Sequence, residues 1–212
     1  MYLGSLLFKN HDNTKSTNNT TLNLESIFSH TKINSVLYSE PFIKAGFIAK
    51  LVQDTKIDIL YLDLDLLYSG YIASGMLHVP QNLTLFQPTF ETWNKTLTDV
   101  LVKSSTKKSV IIVDSLNGLF NILNKRKAIG KLVTSYVMLL ASMAQSTDSY
   151  VIIASMVRFK KEEGWILSPT GKRLIEANDA QKILLEQDEE GIALTFLNNK
   201  EKIVIPASLI PL

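Results

Sequence analysis

Cysteine is absent from this chain of 212 residues. That removes thiolate nucleophiles, thiolate zinc sites, iron–sulfur clusters and disulfide scaffolds from consideration. No uninterrupted apolar run approaches the roughly 20 residues that a membrane-crossing helix needs, and the apolar opening Met1 to Phe8 lacks the basic start of a signal peptide. A soluble, cytoplasmic protein is expected. Charge of one sign is also missing: 22 Lys and Arg stand against 20 Asp and Glu, a net of +2, so any case for nucleic acid must be local rather than global. His11, His30 and His78 are isolated, with no metal-ligand spacing among them, and no Gly-x-Ser-x-Gly elbow marks a serine hydrolase. Four Asn-x-Thr sequons, at Asn18, Asn19, Asn82 and Asn94, reflect a chain rich in Asn and Thr.

What remains is an ordinary globular composition, 46% hydrophobic, long enough to bury about 70% of the unfolded surface without staples. One domain covering residues 1–212 is expected, with residues 10–21 as a polar loop too poor in apolar groups to pack. Beyond that loop, short β-rich runs alternate with segments of helical period, the pattern of a mainly parallel sheet flanked by helices. Strands are predicted at Ser35–Tyr38, Asp58–Asp63, Leu83–Phe86, Ser109–Asp114 and Tyr150–Ser155. A helix is predicted from Phe42 to Gln53, with Pro41 at its entry. Another has Thr89 as cap and a stripe of Phe90, Trp93, Leu97, Val100 and Leu101, and a further helix spans Lys131 to Gln145. After Gly164 the runs Gln181–Glu186, Gly191–Leu197 and Lys202–Ile205 read as antiparallel strands extending the sheet. Tyr68 and Tyr71, three apart on a helix, read as core or interface contacts.

In an open parallel sheet, ligands sit beyond the carboxyl ends of the strands. The segments there are Ser39-Glu-Pro-Phe-Ile-Lys-Ala45-Gly46, Asp63-Leu-Asp65, Asp114-Ser115 and Ser155-Met156. In this order, and with Ser109-Val-Ile-Ile-Val-Asp-Ser-Leu-Asn-Gly-Leu-Phe120 as the most specific stretch, they resemble the ATPase core of the RecA/RadA/KaiC superfamily. The resemblance covers nearly the whole chain and is nearest to short, core-only relatives such as RadB and other archaeal RecA paralogs. It implies a RecA-like three-layer α/β fold, and it matches Asp114 to the magnesium-ordering Walker B carboxylate and Asp65 to the water-activating glutamate. On the residues alone, both carboxylates also fit a solvated strand end or a helix cap.

The phosphate half departs from the family. A P-loop reads Gly-x-x-x-x-Gly-Lys-Ser/Thr, because glycines let amides curl round phosphates, lysine neutralises them and the hydroxyl holds magnesium. Registered on Ser39, Glu40 and Pro41, this chain has Ser39 and Lys44 for the glycines, Ala45 for the lysine and Gly46 for the hydroxyl. A slip that makes Lys44 the phosphate lysine loses the glycines again. One helical position turns a side chain by about 100°, so Lys44 in the first register faces away from a phosphate. The expectation is a degenerate P-loop at Ser39, Glu40, Pro41, Lys44, Ala45 and Gly46, with Asp65 and Asp114 vestigial, no resident metal beyond a weak Asp114 candidate, and no cofactor. ATP with magnesium is the alternative.

Two basic segments complete the reading. Arg158, Lys160, Lys161, Lys172 and Arg173, interleaved with Phe159 and Trp165, occupy the region where family members that act on DNA carry a contacting loop. Lys125, Arg126 and Lys127, with Lys131 nearby, fall near the family's other DNA loop. Cations beside aromatics suit single strands, although a solvated loop with tucked aromatics is the simpler reading. The function expected is a catalytically degenerate RecA-fold protein that binds or assembles with a RecA-fold partner or with itself, in recombination or repair with single-stranded nucleic-acid contact. The alternatives are an unconventional ATPase using Asp65, Asp114 and Lys44, a non-catalytic Elongator-like subunit, and a structural module that binds neither ligand.

Overall fold

The computed structural model describes residues 21–162, 164–167 and 180–212. Six helices are found among them: α1 (Leu24–Ile27), α2 (Pro41–Asp54), α3 (Leu67–Ala73), α4 (Trp93–Ser104), α5 (Leu116–Ile122) and α6 (Ile129–Ser146). The strands are β1 (Ile33–Tyr38), β2 (Asp58–Asp63), β3 (Leu83–Phe86), β4 (Ser109–Asp114), β5 (Tyr150–Lys160), β6 (Gly164–Leu167), β7 (Gln181–Gln187), β8 (Gly191–Phe196) and β9 (Lys202–Pro206). They join in the order β3-β2-β4-β5-β1-β7-β8-β9, with β6 added to β5 alone. The pairings from β3 through β7 are parallel, and those of β8 and β9 antiparallel.

Period-two alternation gives the sheet two buried faces. On β2, Ile59 and Tyr61 face one core while Leu60 and Leu62 face the other, and on β4 Val110 and Ile112 divide in the same way from Ile111 and Val113. The first face is covered by α2, with Phe47, Ile48 and Leu51, and by Tyr68 of α3. The second is covered by Trp93, Leu97 and Val100 of α4, Leu119 of α5, and Val133, Val137 and Leu140 of α6.

Helix α2 is buried along ten consecutive residues, Ile43 to Val52, including two lysines. A helix buried all round needs covering on both sides, and the second cover is the segment after β9. A Cβ on Gly46 would lie 3.0 Å from the Ile210 side chain and 3.3 Å from that of Ile192. Gly46 is therefore the seat on which the C-terminal residues rest.

Three sequence expectations need correction. Thr89 does not cap α4: the helix starts at Trp93 with Thr92 at the cap position, and the Thr89 hydroxyl bonds Glu91 and Thr92 instead. Phe90 therefore precedes the helix rather than standing in its stripe. The degenerate loop named over 39–46 shrinks to Ser39 and Glu40, because the helix expected from Phe42 with Pro41 at its entry does form, Pro41 opening α2 at its first position. Finally, β5 does not stop at Ser155 but runs on to Lys160 and pairs antiparallel with β6, Val157 opposite Leu167 through Lys160 opposite Gly164. Lys172, Arg173 and most of the polar 10–21 segment lie outside the described residues.

Candidate functional site

The parallel register of β2 and β4 sets Asp63 beside Asp114, so Tyr61, two residues back on β2, shares their face of the sheet. Its hydroxyl donates to Asp114 Oδ2 at 2.6 Å. From the helix above, Lys44 reaches down to Asp114 Oδ1 at 2.5 Å and lies 3.7 Å from Asp65 Oδ2. Lys44 and Asp114 are each 1% exposed. The Lys44 ammonium also stands 5.2 Å from the centre of the Tyr38 ring, at the end of β1.

Neither strand-end alternative read from sequence describes Asp114, which is neither solvated nor a helix cap. Ser115 plays the capping role, its hydroxyl accepting from the Gly118 amide at the start of α5. The turn after β2 is stitched to the same point, with the amides of Leu64 and Asp65 donating to the Asp114 carbonyl at 2.6 and 3.3 Å. Close approach of α5 to this turn requires Gly118, because a Cβ there would come within 2.6 Å of Asp65 Oδ1. The Asp65 side chain remains 28% exposed.

Burial alone would lower the Lys44 amine, but the facing Asp114, with Tyr38 and Asp65, outweighs it and holds the ammonium above the usual lysine value. Burial pushes the Asp114 carboxyl up from its ordinary value, against the opposing pull of Lys44 and the Tyr61 hydroxyl. Lys44 is the cation and Asp114 the anion of a desolvated pair. Such a pair holds because each charge has its partner, and removing one partner strands the other. The neighbouring phenols respond to the same surroundings: burial raises Tyr38 and Tyr68 to about 12 and Tyr61 well above 10.0. Tyr68 stacks on Tyr61 with ring centres 4.7 Å apart, the core contact expected for it.

Asp63 is fully buried, and one of its oxygens accepts from the Ser69 amide in the first turn of α3. Among the described residues no cluster of three or more His, Cys, Asp or Glu could hold a metal ion. Ser39 and Glu40 are exposed, with Glu40 at the cap of α2, while Ala45 and Gly46 are buried on the helix. The structure thus brings Lys44, Asp65 and Asp114 together, and leaves Ala45 and Gly46 with packing roles.

The basic segments lie elsewhere at the carboxyl end of the sheet. Arg158, Lys160 and Lys161 are exposed on the β5–β6 arm, and Phe159 is 63% exposed. Trp165 is opposite Phe159 in register, its side chain being outside the described residues. On the other face, Lys125 and Arg126 lie over the ring of Phe90 at 5.5 and 5.0 Å, and Lys127 is exposed. Sequence reasoning missed two site residues, Tyr38, whose ring lies beside the Lys44 ammonium, and Tyr61. The signal for Tyr61 was the spacing of two from Asp63, which fixes the face it shares with Asp114.

No protein-family model and no curated protein matches the chain. Solved structures do. A DnaB-like replicative helicase, described with its interactions with primase, superposes with TM-score 0.55 at 12% identity, over 84% of this chain and 54% of that one. An ATPase domain superposes with TM-score 0.56 at 13% identity, over 83% of this chain and 80% of that one. The chain thus spans about half the length of the helicase. Both neighbours carry the RecA-like ATPase fold, and the order of strands and flanking helices described above is an α/β fold of that kind.

The raised groups set the alkaline behaviour. Tyr38, Tyr61, Tyr68 and Lys44 keep their protons in the folded chain to higher pH than in the unfolded one, whose values are 10.0 for tyrosine and 10.5 for lysine. The folded state then binds more protons, so stability is fully present below pH 10 and falls as pH rises toward about 12. Denaturant melts at stepped pH should show this fall, with phenolate absorbance resolving late-titrating tyrosines. Flat stability across that window would contradict the buried cluster.

Proposed function

We propose that this chain is a RecA-fold protein whose nucleotide site is closed from within, and that it works as a non-catalytic binding or assembly partner. The observation that carries this reading is the buried Lys44–Asp114 pair with Tyr61 as its third member. In the relatives the sequence resembles, an Asp at this strand end orders magnesium, and a lysine at the head of the helix after the first strand neutralises phosphate. Here Ala45 stands in that lysine's position, and the lysine one residue before it, Lys44, pairs with Asp114 inside the protein.

Three further features support it. The two-residue connection between β1 and α2 offers no glycine-rich cradle of amides, and Glu40 at the cap of α2 places negative charge where a phosphate would approach. A hydroxyl-bearing side chain at Gly46 would press on Ile210. Phosphoryl transfer depends on positioning and charge neutralisation, and the residues that would supply both are committed to packing. Such a chain contributes a folded surface, in a short RadB-like or other paralogous setting, to a RecA-fold partner or to copies of itself.

With ATP and magnesium, the purified chain should release phosphate at the rate of the Asp114→Ala variant, that is, at background. Turnover lost on Asp114→Ala would establish the alternative, an ATPase built on Asp65, Asp114 and Lys44.

A second reading rests on the β5–β6 arm, where Phe159 stands exposed among Arg158, Lys160 and Lys161. Cations that track phosphates beside an aromatic that stacks on bases suit a single strand. Binding of a labelled single-stranded oligonucleotide, followed by anisotropy, should weaken steeply with salt. The salt slope should fall by about one for each phosphate-contacting cation removed among Arg158, Lys160 and Lys161. A slope unchanged in the triple alanine variant would remove the arm from this role.

A further inference from the structure

The amino end of the sheet carries a cavity of about 520 Å³, within the range that small-molecule sites occupy. Lys108 before β4 and Tyr150 at the start of β5 line it, together with the stretch before α1 and the turn between α2 and β2. Strand β4 runs from Ser109 to Asp114, so the cavity lies roughly 17 Å along the strand from the buried Lys44–Asp114 pair. We infer that this cavity is a binding site for a small organic oxyanion, a carboxylate or phosphate ester carried on an apolar body. Its chemistry is independent of the closed site at the other end of the strands.

The ties that build the walls use up the local acceptors. The Leu22 amide donates to Asp54 Oδ2 at 2.6 Å, which binds the stretch before α1 to the end of α2. Lys50 donates to the other oxygen, Asp54 Oδ1, at 2.9 Å, so Asp54 is both neutralised and filled. The Thr55 hydroxyl donates to the Leu51 carbonyl, and the Asn82 side-chain amide donates to the carbonyls of Thr55 and Ile57. Leu22, Leu24 and Ile57 are half-buried and pack against one core cluster, and they give the cavity its aliphatic lining.

The groups left over are donors. Lys56 is exposed and forms no ion pair with a described residue. Lys108 stands 5.3 Å from the centre of the Tyr150 ring and meets Glu25 only at 3.9 Å, with the two side chains 42% and 74% exposed. A contact this long between exposed charges holds neither of them. Tyr150 lines the cavity while 1% exposed, and no hydrogen bond joins its hydroxyl to another described residue, whereas a buried phenol ordinarily has a partner. Two cations therefore stand against the single unspent carboxylate of Glu25, with a phenol donor and three aliphatic side chains in the same lining. That set matches an anionic head on an apolar body, and a cationic ligand would find the acidic side already occupied.

Two-dimensional amide NMR of the full chain, with phenyl phosphate or benzoate added, tests this. Saturable shifts are expected at Ile57, Lys108 and Tyr150, and none at Asp114. Lys56→Glu and Lys108→Glu should each raise the dissociation constant by about tenfold, and Tyr150→Phe, which removes the hydroxyl alone, by about threefold or more. Thermal melts verify folding, and the two lysine variants, on exposed side chains, keep the test decisive if Tyr150→Phe disturbs the foot of β5. The tighter of the two probes identifies the head group, phosphate ester or carboxylate. The absence of saturable shifts for either probe overturns the proposal. Neutral benzamide binding as tightly as benzoate overturns the anionic class, and inorganic phosphate binding as tightly as phenyl phosphate overturns the apolar half and leaves a bare surface ion site. Shifts centred on Asp114 would move the ligand to the other end of the sheet and overturn it as well. Each of these failures leaves the closed-site reading standing, because that reading is decided by ATP turnover.

Discussion

An ammonium group cannot stay charged inside a protein unless an anion is built to meet it. Lys44 is the buried charge on which this structure turns. Its partner, Asp114, can be met only because β2 and β4 lie in parallel register, which carries Tyr61 and Asp114 onto one face, and because α2 starts soon enough after β1 to hang Lys44 over that face. The short connection and the internal pair are two consequences of one geometry. A longer glycine-rich turn would move the start of the helix, and with it the lysine.

The surrounding packing is arranged to keep that geometry. Helix α2 is pressed between the sheet and the C-terminal residues, with Gly46 leaving room for Ile210. On the opposite side Gly118 lets α5 close against the turn that carries Asp65, and the amides of that turn hold the backbone of Asp114. Gly46 and Gly118 serve contact, each where a Cβ would press on a packed neighbour. The RecA-like fold, shared with helicase ATPase domains at 12 and 13% identity, constrains the scaffold far more tightly than it constrains the residues at the strand ends.

Much of this scaffold is legible in the sequence, for physical reasons. Buried parallel strands must be apolar on both faces, so Asp58–Asp63 and Ser109–Asp114 stand out as short β-rich runs and recur with the same bounds; Gln181–Glu186, read as an antiparallel strand, recurs within one residue but pairs parallel with β1 and antiparallel only with β8. The site is less legible. Residues 39–46 look like a damaged loop when compared with a motif, whereas Pro41 as a helix opener already argues for a strand running almost directly into a helix. The pairing of Lys44 with Asp114 spans 70 residues, and no local pattern encodes it. The arm was hidden differently. Its charges suggest a loop, yet Val157 and Phe159 alternate with Arg158 and Lys160 in the period of a strand, and that alternation is the signal that charge counting obscured. Thr89 was misjudged as a cap because Thr92, three residues on, fits the same composition and lies nearer the apolar run.

The central claim is that Lys44 belongs to the protein interior rather than to a ligand, and its most direct test is the unfolding free energy of Lys44→Met without nucleotide. If the ammonium completes a buried pair, removing it strands Asp114 and costs about 3–5 kcal/mol in equilibrium denaturation. A variant as stable as the original chain, or more stable, would mean that Lys44 is a cation held in reserve for something else, and would contradict the account.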